Sequence, residues 1–376
     1  MRKAHYFLTC VVACLLFLGI PQGVKAEENV NLDIFGEVIE TYDDNILYDP
    51  DNEIDDLITT VLVGLGIEHV TKTQSFRLSG SIEQNLFADF DTFNNTAEYI
   101  DLEFEKEYSD LNKISVKNNF EHAEAPDSFE ESIGRQLGRY EFFNNEFEVE
   151  YTRELDMKRS YSLGYANEVY DASRDDIPDS VDHRVLTAYN YQRDPANTYS
   201  ANYEFEYTAY DNDENSNTHK LFGSWQHLFD KRKGVRMDLG TSVIDSFDDD
   251  VTAKPYAMFR YNNEIAEDTM FIFTVKKEYE PSNFRSDIFD LLLVSAQVIK
   301  QLSDRWTLKA RGFFGLGEYL ASNIEDELAG ADAGVEFEVR ENFKLFMNYR
   351  FETNNSNLAS RDYEKNRVSL GVQVSF

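Results

Sequence analysis

The sequence predicts an all-β protein, a transmembrane antiparallel β-barrel of about 18 strands (16 to 18), on three observations. Apolar and polar residues alternate with period two along most of the chain. The connections between these runs switch regularly between short turns and long acidic segments. Past Ile20 no stretch approaches the roughly 20 apolar residues that a membrane helix needs.

The amino terminus predicts export. Arg2 and Lys3 precede an uncharged apolar run over 7–20, and Val24-Lys25-Ala26 offers a small-x-small cleavage pattern, so residues 1–26 read as a signal peptide. Cys14 lies in the middle of the apolar run, which argues against a lipoprotein site. Both cysteines, Cys10 and Cys14, would leave with the peptide, so the mature chain is expected to have no disulfide or thiol chemistry. Residues 27–376 show no linker and no shift in composition, which predicts a single barrel domain.

The strands follow in chain order. Phe76, Leu78, Gly80, Ile82 and Leu86 alternate with Arg77, Ser79, Ser81, Glu83 and Asn85; Ile100, Leu102 and Phe104 alternate with Asp101, Glu103 and Glu105. Phe143, Phe147, Val149 and Tyr151 alternate with Glu146, Glu148 and Glu150, and Tyr199, Ala201, Tyr203, Phe205 and Tyr207 with Ser200, Asn202, Glu204 and Glu206. Two runs, 270–279 and 288–300, are apolar on both faces in places and fit the pattern poorly. Trp306, Leu308 and Ala310 then oppose Thr307, Lys309 and Arg311, and Phe343, Leu345, Met347, Tyr349 and Phe351 oppose Lys344, Asn348 and Arg350. The last strand is the clearest, with Val368, Leu370, Val372, Val374 and Phe376 on one face. It resembles the C-terminal recognition strand that the barrel-assembly machinery of bacterial outer membranes reads through a terminal aromatic.

Short turns near 71–73, 109–113, 154–158, 193–196, 230–233, 266–268, 302–305 and 341–342 separate longer polar segments. That arrangement makes the strand number even and puts both chain ends on the short-turn, periplasmic side, with long acidic loops outside. Tyr42, Tyr108, Tyr170, Tyr210 and Tyr319, near strand ends, are expected at the interfacial girdles.

Charge narrows the function. The formal net charge of −34, or −37 after loss of the signal peptide, excludes nucleic acid as a partner. His69, His122, His183, His219 and His227 sit in no catalytic or metal motif, so no enzyme activity and no cofactor are expected. Acidic segments such as Asp43, Asp44, Asp49, Asp51, Glu53, Asp55 and Asp56, and Asp245 with Asp248 to Asp250, are a solvated rim that could bind divalent cations and bridge to lipopolysaccharide. The polar faces put Glu103, Glu105, Glu148, Glu204 and Glu206 in the amino half of the lumen wall, and Arg260, Lys309, Arg311, Lys344 and Arg350 in the carboxyl half. Two outcomes are open: opposed walls that impose a transverse field, or pairing of these charges in the interior.

The stretch Glu37-Val38-Ile39-Glu40-Thr41-Tyr42-Asp43-Asp44-Asn45-Ile46-Leu47, followed by Asp55-Asp56-Leu57-Ile58-Thr59, resembles the opening of the putative β-barrel porin 2 family. The resemblance implies an outer-membrane porin-like barrel, associated with exopolysaccharide gene clusters and working with a periplasmic polysaccharide-export protein. It implies no catalytic residues. Passage of polar solutes, with export of an exopolysaccharide as the favoured role, is the expectation; the alternatives are a structural or adhesive barrel, or a barrel enzyme, which the sequence disfavours most.

Overall fold

A computed structural model describes residues 29–124, 139–175, 177–212, 214–245, 251–282 and 287–376. The predicted signal peptide and Asp248 to Asp250 lie outside the described residues. Eighteen strands follow one another: β1 (Asn29–Asp43), β2 (Asp56–Val70), β3 (Gln74–Phe87), β4 (Asn95–Ser109), β5 (Asn112–Glu124), β6 (Glu141–Asp156), β7 (Arg159–Ala172), β8 (Ser180–Asp194) and β9 (Asn197–Tyr210) form the amino half. The carboxyl half is β10 (Asn215–Asp230), β11 (Lys233–Asp245), β12 (Val251–Ala266), β13 (Thr269–Ser282), β14 (Asp287–Ser303), β15 (Trp306–Tyr319), β16 (Ile324–Arg340), β17 (Phe343–Ser356) and β18 (Tyr363–Ser375). Each strand pairs antiparallel with its neighbour in sequence, and β1 pairs with β18, so the sheet closes into a barrel. Closure leaves no exposed edge, the condition for backbone to cross a bilayer without unpaired polar groups. The expected strand number and topology are both found.

The tight turns have a local chemical cause. Ser109, Asp156, Asp194, Asp230 and Ser303 each end a strand, and each side-chain oxygen accepts the backbone N–H two residues on, at 2.7–3.3 Å. Such Asx and Ser turns compete with strand continuation and reverse the chain. The ladder shifts register just before each of these turns, as between Glu154 and Asp156.

Pairing divides every strand into two faces. Leu32, Val63, Ile82, Leu239 and Leu370 share the outer face and are 57–60% exposed to solvent, which is tolerable only where lipid covers them. His219 and His227 also face outward, with Tyr203 Oη 2.8 Å from His219 Nδ1. Tyr42 and Tyr108 lie on this face as expected. Tyr170, Tyr210 and Tyr319 do not: each is in register with the inner residues of its neighbours, and Tyr210 and Tyr319 are buried inside the outer mouth. Position near a strand end drew them to a girdle, but the period-two parity of their own strands decides the face.

Inner aromatics lie flat where the next strand offers glycine. Phe35 pairs with Gly64, Phe313 with Gly330 and Phe346 with Gly371, and each ring occupies the space that a Cβ on the glycine would need. The rings cover the wall rather than cross the lumen. The ambiguous run in β14 finds its reason here. Phe289 and Leu291 face inward and pack with Phe313, Tyr319, Leu328 and Tyr363, and with Tyr48 from the first long loop.

Candidate functional site

The candidate site is the lumen, and its outer mouth is closed in from three sides. The loop after β1 turns inward on Asn45, whose side chain is fully buried. Its amide donates to the Asp49 and Glu364 carbonyls at 3.0 and 3.1 Å and its oxygen accepts the Asp49 N–H at 2.9 Å. Asp44 accepts the backbone and side-chain N–H groups of Asn366 at 2.6 and 2.8 Å, and Lys365 pairs with Asp43 at 2.8 Å. Asp44-Asn45-Ile46, within the stretch that carries the family resemblance, is therefore the knot that ties the first loop to β18. Asp49 in turn accepts the N–H groups of Asp51 and Asn52, which hold its carboxyl below the usual range.

Further round the barrel from this knot, Ile177 leans over the inner faces of β4 to β7 and packs with Ala97, Ala123, Tyr140 and Phe142. The third element is the outer end of the β13–β14 hairpin. The β12–β13 ladder stops at Ala257 and Lys277, so that 251–256 pair only with β11 and 278–282 only with β14. Each separated segment contains a proline, Pro255 and Pro281, which cannot donate to a ladder. The freed end bends across the mouth: Tyr210 Oη donates to the Ser282 carbonyl at 3.2 Å, and Tyr279 packs on Ile244 beneath Lys254.

Parity turns all ten sequence-named charges inward. The carboxyl-half bases have partners on their own wall: Arg350 with Asp332, Lys309 with Glu336, and Arg260 with the Asn262 side chain at 3.2 Å. Arg311 stands over Phe313, and Lys344 is in register with Glu338. In the amino half, Lys113 meets Glu105 at 2.9 Å, Arg77 lies 3.8 Å from Glu103, Lys220 lies 3.7 Å from Glu204, and Glu148 is in register with Lys117. Pairing is thus local to each wall rather than across the lumen.

Sequence reading missed two inner carboxylates, Glu168 and Asp182, and the arginine between them, Arg184. They lie on β7 and β8, where their offset from the outward-facing Tyr165 and Val185 carries the signal. Arg184 Nη2 lies 2.6 Å from Glu146 and 3.5 Å from Glu168. Val368, Leu370, Val372 and Val374 face outward between β17 and β1, and Phe376 ends at the short-turn rim, its backbone exchanging two hydrogen bonds with Ile34 at 2.8 and 2.9 Å. Among the described residues no group of His, Cys, Asp and Glu side chains is arranged to hold a metal ion.

No curated protein matches the sequence. Among solved structures, the chain is similar to OccK2 of Pseudomonas aeruginosa in complex with glucuronate, with a TM-score of 0.52 at 8% identity over 93% of this chain and 98% of that one. OccK5 of the same organism gives 0.51 at 12% identity with the same coverage. A mutant of the ferric enterobactin receptor PfeA of P. aeruginosa gives 0.52 at 8% identity, covering 93% of this chain and 81% of that one. At these identities the likeness concerns the fold. The chain is an outer-membrane, porin-like β-barrel, and its residues 281–376, which span the last five strands, match the model of the family described as Putative beta-barrel porin 2.

Proposed function

We propose that the barrel is a passage for polar solutes, and that its specific task is to export an exopolysaccharide handed over by a periplasmic protein. The observation that carries this reading is a gradient of exposure along the inner wall. Lys344 and Asn348 near the periplasmic rim are open to solvent, whereas Leu328, Tyr319, Glu352 and Thr208 at the outer end are at most 1% exposed. A barrel of this strand number leaves an aqueous interior, and here that interior is wide toward the periplasm and narrowed by inward-folded elements outside. Such a funnel suits loading from the periplasm. Insertion through the strand ending in Phe376 and divalent-cation contacts between the acidic rim and lipopolysaccharide belong to the same reading.

Reconstitution in a planar bilayer is the direct test. Discrete conductance steps are expected, together with loss of secreted polymer when the gene is deleted. Absence of channel events at every voltage would overturn the passage; conductance with undiminished polymer secretion would overturn the export role.

A further inference from the structure

We infer that the inner wall of β6 to β10 holds a subsite for a protonated primary amine carried by the solute in transit; the inference rests on the passage reading. Register places Glu146, Glu168 and Asp182 directly opposite one another on β6, β7 and β8, and continues the row through Thr208 on β9 to Ser216 on β10. The adjacent inner row, two residues toward the periplasm, runs Glu148, Ala166, Arg184, Glu206 and Thr218. Neighbouring strands are about 4.8 Å apart, so three like charges lie within the width of one small ligand. Like charges directly opposite on a sheet are destabilising. Arg184 is the one base in the two rows, and its guanidinium lies 2.6 Å from Glu146 and 3.5 Å from Glu168.

A second feature of the same wall points to a ligand. Ser216 and Thr218 are 1% and 2% exposed, and the hydroxyl oxygen of each has no hydrogen-bond partner. Asn144 Oδ1, on the inner face one step outward of Glu146, is buried and equally unpartnered. Buried polar atoms are normally paired, because an unpaired one bears the full cost of its removal from water. Among the described residues, the unpartnered atoms of this wall are three oxygens, on Asn144, Ser216 and Thr218, against one donor, Arg184 Nε. An ammonium group brings three N–H donors for those oxygens and a positive charge that offsets the excess of carboxylates. Tyr210, the next inner residue outward of Thr208, is where the bent β13–β14 end reaches the wall, so a solute leaving by the mouth passes these rows.

The test measures block of the reconstituted channel by short glucosamine oligomers, by their N-acetylated counterparts and by spermidine. The wild type is expected to be blocked by glucosamine oligomers at concentrations at least about tenfold below those of the acetylated forms, a factor equal to 1.4 kcal/mol. The variant carrying Glu168→Gln and Asp182→Asn is expected to lose that preference, and Glu107→Gln, at the periplasmic end, to keep it. Stronger block by spermidine than by the oligomers would assign the site to free polyamines, and the reverse to amino sugars. Equal block by amino and acetylated oligomers, or an unchanged preference in the double variant, would overturn the subsite. Calorimetric titration of glucosamine oligomers into the detergent-solubilised barrel separates the two readings: binding without conductance would sink the passage alone, and conductance without binding the subsite alone.

Discussion

At the scale of single residues, the fold depends on side chains with little freedom to change. Gly64 sits under the Phe35 ring, where an added Cβ would lie 2.2 Å from the nearest ring carbon. Gly64→Ala must lift the ring off the wall, at an expected cost of about 1–3 kcal/mol, read as a lower melting temperature in detergent. Gly80 faces outward and a Cβ there meets nothing closer than 3.7 Å, so Gly80→Ala should be neutral or stabilising by about 0.4–1 kcal/mol. If both substitutions cost the same, ring placement does not explain Gly64. Asn45 is a second such residue. Asn45→Ala removes the two donors and the acceptor that hold the first loop, leaving buried backbone groups unpaired, with an expected loss of about 1–3 kcal/mol. Faster hydrogen exchange at the Asp49 amide would report the loosened knot, and exchange unchanged from wild type would remove its role.

Among the elements, the β13–β14 end behaves as a strap because its ladder to β12 is broken where Pro255 and Pro281 occur. Its hold on the wall beyond β12 includes the bond from Tyr210, on β9, to Ser282. Tyr210→Phe removes the donor of that bond and should raise single-channel conductance by loosening the strap. Conductance unchanged from wild type would mean that this bond does not limit passage. This element also marks the boundary of what the sequence told. Alternation named the strands wherever one face was wet and the other met lipid, as in β3, β9 and β18, because a one-residue slip would reverse both faces. It failed in β13 and β14, whose outer ends leave the wall and acquire a second apolar contact inside the mouth. Asp44-Asn45-Ile46 was visible within the stretch that carries the family resemblance, but its role was not, since its partners Asn366 and Glu364 lie more than 300 residues away in the chain. Glu168 and Asp182 were equally hidden, because their meaning comes from cross-strand register rather than from spacing along one strand.

For the whole molecule, the net charge of −34 acquires a direction. The sequence allowed opposed acidic and basic walls, yet the basic wall is largely neutralised within itself, through Arg350 with Asp332, Lys309 with Glu336, and Arg361 with Asp326 at 2.6 Å. On the other side the carboxylates of β4 to β9 face fewer bases, so the uncompensated charge in the lumen is negative and lies along one arc. A one-sided field of this kind concentrates cations and repels anions in a channel whose walls are of low dielectric. Reversal potentials in a potassium chloride gradient are therefore expected to have the sign of a cation-preferring channel. The preference should be strong near 0.1 M salt, where the Debye length is about 10 Å, and weak near 1 M, where it falls to about 3 Å. Glu103→Gln combined with Glu105→Gln, on the half-exposed part of the acidic arc, should move the reversal potential toward zero, whereas removing a balanced pair together, Lys309→Met with Glu336→Gln, should move it little because the net charge of the wall is unchanged. An anion-preferring channel would mean that the paired bases of the carboxyl half dominate the field after all, and the one-sided lumen would have to be abandoned.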